Sequence, residues 1–254
     1  MVEPSTPVKG TRPEGVSTEA EASHKVRAMF SQIAPKYDLL NHLLSLQLDR
    51  LWRARVVRRF STILNRADAS VLDLCCGTGD LASGLARAGK ASVIGADFAH
   101  PMLVRARAKT ANIAPSSRIL FLEADALQMP FADKSFDLVT TAFGFRNLAN
   151  YEVGLREIYR MLKPGGAVAI LEFTEPPRGA WGDLYKWYFR TILPKIGAAI
   201  SGDRAAYTYL PKSVERFFRP SEFAALLTAV GYETVDYSVW TFGTVALHTA
   251  RRAL

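Results

Sequence analysis

Apolar and polar positions alternate in a regular order along most of the chain. Short continuous apolar runs are separated by stretches with apolar residues at helical spacing, such as 101–111 and 151–162. The runs are typical of buried strands, and the spaced stretches of amphipathic helices. Strands that alternate with helices predict a parallel sheet covered by helices. The predicted strands are Ser70–Leu74, Ser92–Asp97, Ile119–Ala124, Phe136–Thr141 and Ala167–Phe173.

The C-terminal end has a different pattern. Two strand-like runs, 232–240 and 243–252, are joined by Thr241 and Phe242 alone. A connection this short permits only antiparallel pairing, because parallel neighbours need a crossover of about a dozen residues. The sequence therefore predicts an α/β fold with a seven-stranded, mostly parallel sheet, an antiparallel C-terminal strand and helices on both faces.

Composition predicts where the domain begins and ends. Residues 1–23 are rich in Pro, Gly, Ser, Thr and Glu, which predicts a disordered tail. Deletion of residues 1–20 is expected to leave activity intact. Residues 24–254 form one predicted domain, with a helical segment at 24–66 and an aromatic-rich lid insertion at 178–210. We expect a cytoplasmic protein, since no apolar signal core and no run near the roughly 18 apolar residues of a membrane span is found.

A glycine turn follows the first predicted strand. The stretch "VLDLCCGTGDLA" at 71–82 fits the G-x-G-x-x-G/A pattern of dinucleotide-binding loops. Asp73 and Asp80 flank this turn, and Asp97 and Asp125 close the second and third strands. An acid at Asp80 is expected to repel a pyrophosphate, because two unit charges about 4 Å apart cost about 4 kcal/mol at an effective dielectric constant of 20.

These acids suit S-adenosylmethionine, which carries an ammonium and a sulfonium group and no phosphate. Asp97 can accept hydrogen bonds from both ribose hydroxyls, and Asp125 can reach the adenine amino group. The alternative is that Asp80 only complements the helix dipole and that Asp125 only begins a turn. The charge pattern favours S-adenosylmethionine over NAD, and so disfavours an NAD-dependent reductase.

Longer motifs resemble a known family. "VLDLCCGTGD", "GADFAHPML" and "EADALQMPFADKSFDLVTTAFGFRNL" are similar to successive motifs of class I S-adenosylmethionine-dependent methyltransferases. "YDLLNHLLSLQLDRLWR", "FGFRN" and "RMLKPGGAVAILEFTEP" resemble signatures of the quinone C-methyltransferase family of menaquinone and ubiquinone biosynthesis. The resemblance covers residues 24–252, although Leu40, Asp49 and Thr174 replace the Met, His and Ser that are usual there. It implies a Rossmann-like class I methyltransferase fold.

The resemblance also implies a reaction and a set of cofactor contacts. The reaction is C-methylation of a polyprenylated quinol, demethylmenaquinol or alternatively a benzoquinol, with S-adenosylmethionine as the methyl donor and no metal. A contacting serine of some family members is replaced in this chain by the sequence Thr140-Thr141-Ala142. The implied cofactor-binding residues are Thr78, Asp97, Asp125 and Ala126, together with Asp73, Gly77 and Gly79 of the same motifs.

Arg146 and Asn147, which follow the fourth strand, are the predicted catalytic residues. A neutral phenol with a pKa of about 10 is a weak carbon nucleophile, so the enzyme must favour its ionised form. A guanidinium lowers the pKa of a neighbouring hydroxyl and can hold a water molecule that acts as the base. The alternative is that Arg146 pairs with Glu152 or Glu157.

Three further residues are expected around the quinol ring. Tyr37 is a predicted catalytic residue, and Asn41 and Phe143 are predicted substrate-binding residues. Tyr37 and Asn41 lie one helical turn apart and therefore on one face of a helix. The alternative is that this helix only packs on the sheet.

The chain is basic, with a net charge of +8 and a pI near 9.6, which favours an anionic partner. The arginines of "RLWRARVVRRF" (50–60) suit transient contact with an anionic membrane, at about 1 kcal/mol per basic group, or a solvated helix face. The aromatic stretch at 181–200 suits either a lid or a channel for the isoprenoid tail. We therefore expect a polyprenyl quinol substrate, peripheral location at the inner face of the membrane, and no nucleic acid.

The sequence leaves some partners open and disfavours other functions. A homodimer or contact with other quinone-biosynthesis enzymes stays open. An RNA or protein methyltransferase is disfavoured because "FGFRN" stands where amino-methylating enzymes carry an N-P-P-Y type motif. A non-catalytic S-adenosylmethionine-binding adaptor is disfavoured because the polar groups expected around the substrate are all present.

Overall fold

The computed structural model describes residues 10–111, 118–177, 179–188, 191 and 204–254. Its core is a seven-stranded sheet in the order β3-β2-β1-β4-β5-β7-β6. The order reverses between β1 and β4, whose carboxyl ends therefore flank a crevice. The strands are β1 Ser70–Leu74, β2 Ser92–Asp97, β3 Ile119–Glu123, β4 Phe136–Ala142, β5 Leu162–Phe173, β6 Glu233–Trp240 and β7 Val245–Arg251.

The predicted strand directions are confirmed. β1 to β5 pair in parallel, and β7 lies antiparallel between β5 and β6. β5 begins before the predicted Ala167, because Leu162 already pairs with Phe136 ahead of a register shift. Thr241 and Phe242 in the turn of the hairpin have positive φ angles of 51° and 54°.

Helices cover both faces of the sheet. One core cluster joins α7 and α10 to the strands, and the other joins α3 and α5 to the opposite face. The structure therefore has the predicted Rossmann-like arrangement. The helices are α1 Glu19–Ile33, α2 Tyr37–Leu44, α3 Leu48–Arg59, α4 Ser61–Leu64, α5 Asp80–Arg87, α6 His100–Thr110, α7 Tyr151–Met161, α8 Ala180–Trp187, α9 Arg204–Arg216 and α10 Pro220–Val230.

The prediction of disorder up to residue 23 is wrong for residues 10–23. Helix α1 begins at Glu19, and the hydroxyl of Thr18 and the carboxylate of Glu21 form a capping box at its start. The preceding residues bond to a distant loop, with the Thr11 amide donating to the Leu148 carbonyl at 2.8 Å. Composition alone does not show such tertiary bonds. Residues 1–9 lie outside the described residues.

The predicted lid at 178–210 is described only in part. Helix α8 and the start of α9 belong to it, while 189–190 and 192–203 lie outside the described residues. Apart from residues 10–23, the predicted division of the chain into a tail, one domain and this lid stays a prediction. Within the described ranges, no helix combines the length and the apolar character needed to cross a bilayer.

Candidate active site

The glycine turn lies between β1 and α5, as predicted. Gly77 and Gly79 have φ angles of 55° and 80°. A Cβ at Gly79 would lie 3.0 Å from the Phe121 ring, so a side chain there would be crowded as well as strained by the positive φ angle. Asp97 holds the turn: its Oδ2 accepts from the Gly77 amide at 2.8 Å, and its Oδ1 from the Ala99 amide at 2.9 Å.

Asp73 brings an unpaired carboxylate oxygen to this turn. The residue is 1% exposed, and its Oδ1 accepts from the Thr140 hydroxyl at 2.9 Å. Its Oδ2 is buried and has no hydrogen-bond partner among the described residues. Burial raises the pKa of Asp73 to about 7. A buried, partly unpaired carboxylate fits a cationic ligand such as the ammonium or sulfonium of S-adenosylmethionine.

The electrostatic argument from Asp80 is wrong. The Asp80 carboxylate pairs with Lys109, and Arg53 lies 3.8 Å away. Its charge is therefore already compensated, and it is not available to repel a phosphate. Asp73 and Asp97 are the acids at the turn that have no ion-pair partner among the described residues.

A narrow cavity of about 50 Å³, the inner cavity, lies at the carboxyl ends of β1, β2 and β4. Asp125 is exposed, and its Oδ1 accepts from the Leu127 amide at 2.9 Å, so it also begins a turn. Thr78 faces a separate small cavity beside Asp73, and its hydroxyl donates to Asp38. The inner cavity is lined by the predicted residues Gly77, Asp97, Asp125, Ala126, Phe143 and Asn147.

A second cavity of about 630 Å³, the outer cavity, is enclosed mainly by apolar side chains of α1, α2, α3, α8 and α9. Tyr37 and Phe143 line both cavities, and the rings of Phe143 and Phe173 lie 4.5 Å apart. Tyr37 and Phe143 therefore mark the junction at which ligands bound in the two cavities would meet. The predicted residues Tyr37, Asn41, Phe143 and Arg146 all line the outer cavity.

Arg146 pairs with a residue that the sequence reasoning missed. Its Nη1 donates to Glu172 Oε1 at 2.9 Å and to the Phe143 carbonyl, and its Nε donates to Ser213 at 3.3 Å. Glu172 is 1% exposed, and burial raises its pKa. The signal for it in the sequence is an acid inside the apolar run of β5. Nη2 of Arg146 has no recorded partner within the described part of the chain.

The two acids considered as partners of Arg146 have other partners. Glu152 pairs with Arg156, and Glu157 pairs with Arg160. The guanidinium of Arg146 is therefore held by Glu172 alone among the acids of the described ranges.

Asn147 faces a different cavity from Arg146. Its Oδ1 accepts from the Tyr209 hydroxyl at 3.0 Å, and its side chain lines the inner cavity. The two residues lie in a 3₁₀ turn, Phe145–Asn147, in which successive side chains point about 120° apart. Arg146 therefore lies at the outer cavity and Asn147 at the inner cavity, and a catalytic role of Asn147 stays a prediction.

Tyr37 and Asn41 share one face of α2, as predicted. The Asn41 side chain hydrogen bonds to the Tyr37 hydroxyl, and burial raises the pKa of Tyr37 above its ordinary value. Tyr37 therefore keeps its proton at neutral pH and acts as a donor. Its aromatic ring lies against the glycine turn, since a Cβ at Gly77 would be 3.6 Å from it.

One cluster has metal-ligand chemistry. Ligand atoms of His42, Asp49 and Asp80 lie within 4.8 Å of one another. The guanidinium of Arg53 pairs with Asp49 and lies 3.8 Å from Asp80. A cation of the protein itself already neutralises this cluster. That the reaction needs no metal stays a prediction.

Comparison with known proteins decides the family. A sequence model of the ubiE/COQ5 methyltransferase family matches residues 18–252. The chain belongs to this family. The prediction of an S-adenosylmethionine-dependent C-methyltransferase is thereby confirmed.

Relatives of this methyltransferase carry two names. A demethylmenaquinone methyltransferase of Thermus thermophilus is 52% identical over 225 residues, 88% of this chain and 100% of that protein. A ubiquinone/menaquinone biosynthesis C-methyltransferase of a Geobacter species is 42% identical over 235 residues, 92% of this chain and 98% of that protein.

Solved structures agree with the methyltransferase fold. The [4+2]-cyclase SpnF has a TM-score of 0.68 at 18% identity, with 97% of this chain and 99% of that chain covered. An S-adenosylmethionine-dependent methyltransferase of Aquifex aeolicus has a TM-score of 0.57 at 19% identity, with 78% and 88% covered. Both likenesses concern the fold alone.

Proposed function

We propose that this methyltransferase methylates a ring carbon of demethylmenaquinol. The observation that carries the proposal is the large apolar outer cavity, which meets the inner cavity at Tyr37 and Phe143 and is lined by the guanidinium groups of Arg53 and Arg146. A polyprenylated quinol has the same character, an apolar body with few polar atoms. The names of the relatives from Thermus and Deinococcus, demethylmenaquinone methyltransferases, support naphthoquinol as the ring.

S-adenosylmethionine, when bound, supplies the methyl group. Asp97 and Asp125 are the residues proposed to bind its ribose and adenine, with Ala126 beside them. The unpaired Oδ2 of Asp73 suits its cationic end. An inner cavity of about 50 Å³ holds only a few water molecules, so the side chains that line it must shift to admit the cofactor.

Arg146 is the residue proposed to activate the quinol. A hydrogen bond to a ring hydroxyl oxygen from Nη2, which has no partner among the described residues, favours the phenolate and so raises electron density on the neighbouring carbon. Glu172 and the Phe143 carbonyl fix the other amino group of the guanidinium, which limits its motion. The protonated Tyr37 hydroxyl supplies a further donor at the junction, and Asn41 orients it.

The same chemistry serves a benzoquinol, and the Geobacter relative is named for both pathways. Quinones extracted from cells that lack this protein decide between them by mass spectrometry. We expect an unmethylated naphthoquinone precursor to accumulate and to disappear when the gene is restored. An unmethylated benzoquinone would favour the alternative, and an unchanged quinone pool would contradict both.

Contact with an anionic membrane is proposed at the mouth of the outer cavity. Four exposed apolar side chains line this mouth: Leu46, Leu184, Trp187 and Phe242, of which Leu46 and Phe242 are 74% and 75% exposed. Exposed apolar groups beside the basic helix α3 suit the boundary of a bilayer, from which a polyprenyl quinol must be drawn. We call these four side chains the rim.

A further inference from the structure

The segment 10–14, which we call the strap, lies between helix α9 and the loop after β4. The Thr11 amide donates to the Leu148 carbonyl at 2.8 Å, and the Arg12 guanidinium donates to the Ala149 carbonyl at 2.8 Å. A Cβ at Gly10 would lie 1.9 Å from the Ala149 oxygen, so the strap approaches this loop as closely as glycine allows. The strap is thus bonded to the loop that carries Arg146 and Asn147.

The strap also bonds to helix α9. The Thr11 hydroxyl lies 2.7 Å from the Tyr209 hydroxyl, Arg216 donates to the Arg12 carbonyl at 2.6 Å, and Glu14 pairs with Lys212. Thr11 is only 6% exposed. The strap therefore joins α9 to the loop after β4.

A chain of hydrogen bonds leads from the strap to the inner cavity. The Tyr209 hydroxyl donates its single proton to Asn147 Oδ1 at 3.0 Å, so it must accept the proton of Thr11. With its oxygen held in this way, the side chain of Asn147 is fixed beside the inner cavity that it lines. The order of donors is Thr11, Tyr209, Asn147.

We propose that Thr11 is a positioning residue for S-adenosylmethionine binding, acting through Tyr209 on Asn147. This proposal rests on the proposed function, in which the inner cavity takes the methyl donor. The strap lies outside residues 18–252, which match the family, so it is a feature of this chain that the family match does not cover. It reverses the expectation that the N-terminal residues can be deleted without effect.

Variants of the full chain separate positioning from folding. Thr11→Val removes the hydroxyl and keeps the shape of the side chain, and Thr11→Ser keeps the hydroxyl. A neutral hydrogen bond of about 1 kcal/mol corresponds to roughly a fivefold change in affinity. Calorimetry with S-adenosylmethionine should give a Kd about fivefold higher for Thr11→Val, and a Kd near that of the unaltered protein for Thr11→Ser. The KM for S-adenosylmethionine should rise likewise, with kcat at saturation within twofold.

Tyr209→Phe removes the donor to Asn147 and should weaken binding at least as much. Adding Thr11→Val to Tyr209→Phe should produce no further loss, because both changes break one chain. Deletion of residues 2–14 should weaken binding, whereas deletion of residues 2–9 should not.

Two results would overturn the proposal: equal affinities of Thr11→Val and the unaltered protein, or additive losses in the double variant. The calorimetric measurement needs no quinol. An enzyme that binds S-adenosylmethionine but methylates no quinol would contradict the proposed function and leave the test of Thr11 intact.

Discussion

The carboxylate of Glu172 lies 2.9 Å from the guanidinium of Arg146 in a site where both side chains are at most 6% exposed. The guanidinium also lies 5.5 Å from the centre of the Phe173 ring. Taking one partner of a buried ion pair away leaves an uncompensated charge, at a cost of about 3 to 5 kcal/mol. This pair therefore fixes the guanidinium that is proposed to contact the quinol.

Replacement of Arg146 should affect turnover far more than cofactor affinity. Arg146→Ala removes the donor to the ring oxygen, and loss of a single such donor lowers kcat by roughly 100-fold or more. Calorimetry should show S-adenosylmethionine affinity within about twofold of the unaltered protein, because Arg146 lines the outer cavity and not the inner one. Arg146→Ala also leaves Glu172 unpaired, so the double variant Arg146→Met/Glu172→Gln serves as the control for stability. Equal losses in kcat and in affinity would reject the proposed role.

Asp73 should make the free energy of unfolding depend on pH. Its pKa rises from the ordinary 3.8 to about 7 in the folded protein, so between these values the folded state binds more protons than the unfolded state. The free energy of unfolding therefore falls as pH rises across this window, by at most about 1.4 kcal/mol per pH unit. Above pH 7 the loss is complete, and below pH 4 it is absent.

Urea denaturation of the unaltered protein and of Asp73→Asn at several pH values measures this effect. The advantage of Asp73→Asn in free energy of unfolding should grow from pH 4 to 7 and then level off. The ion-paired acids Asp49, Asp137 and Glu157, whose pKa values are lowered, contribute equally to both proteins and cancel in the difference. A difference that is constant with pH would mean that Asp73 is ionised throughout.

Asp97 should be indispensable for binding the methyl donor. The Asp97 carboxylate faces the inner cavity and accepts hydrogen bonds from the amides of Gly77 and Ala99. Asp97→Ala therefore removes the proposed ligand contacts and also the bonds that hold the glycine turn. At about 1.5 to 3 kcal/mol for each hydrogen bond to a charged group, we expect a loss of affinity of at least 100-fold by calorimetry. Asp125→Ala, which changes an exposed side chain on the same cavity, should lose less. An unchanged affinity of Asp97→Ala would count against the cofactor site.

The rim should control binding to vesicles. Leu46→Ser combined with Phe242→Ser should lower the partition coefficient measured by cosedimentation with phosphatidylglycerol vesicles roughly 100-fold or more, because each buried apolar side chain contributes about 1.5 to 3 kcal/mol. Leu120→Ser is the matched control, since Leu120 is 66% exposed on β3 and lies outside the rim. Added salt should weaken the binding of all these proteins. If the double variant bound like the control, the proposed membrane surface would be wrong.

Local sequence patterns predicted the sheet, because strand periodicity and the glycine turn are properties of short segments. The bounds of β1 and β2 agree with the prediction, and Tyr37 and Asn41 share the predicted face. Contacts between distant segments could not be predicted in the same way. Glu172 lies 26 residues after Arg146, and the strap gains its order from a loop more than a hundred residues away.

The charge of Asp80 illustrates the same limit. The predicted position of Asp80 in the first turn of α5 is confirmed. The cations that neutralise its carboxylate, Lys109 and Arg53, come from α6 and α3 and were not predicted. The identity of the cofactor therefore depends on Asp73 and Asp97, which are buried without such partners in the described structure. The net charge at a helix N-terminus therefore cannot be predicted from the acids of that helix alone.

Incubation of the purified protein with methyl-labelled S-adenosylmethionine and chemically reduced demethylmenaquinone tests the central claim most directly. Mass spectrometry of the extracted quinone should locate the labelled methyl group on the ring carbon, with turnover lost in Arg146→Ala. Absence of label from both the naphthoquinol and a matching benzoquinol, in a protein that calorimetry shows to bind the methyl donor, would contradict the account.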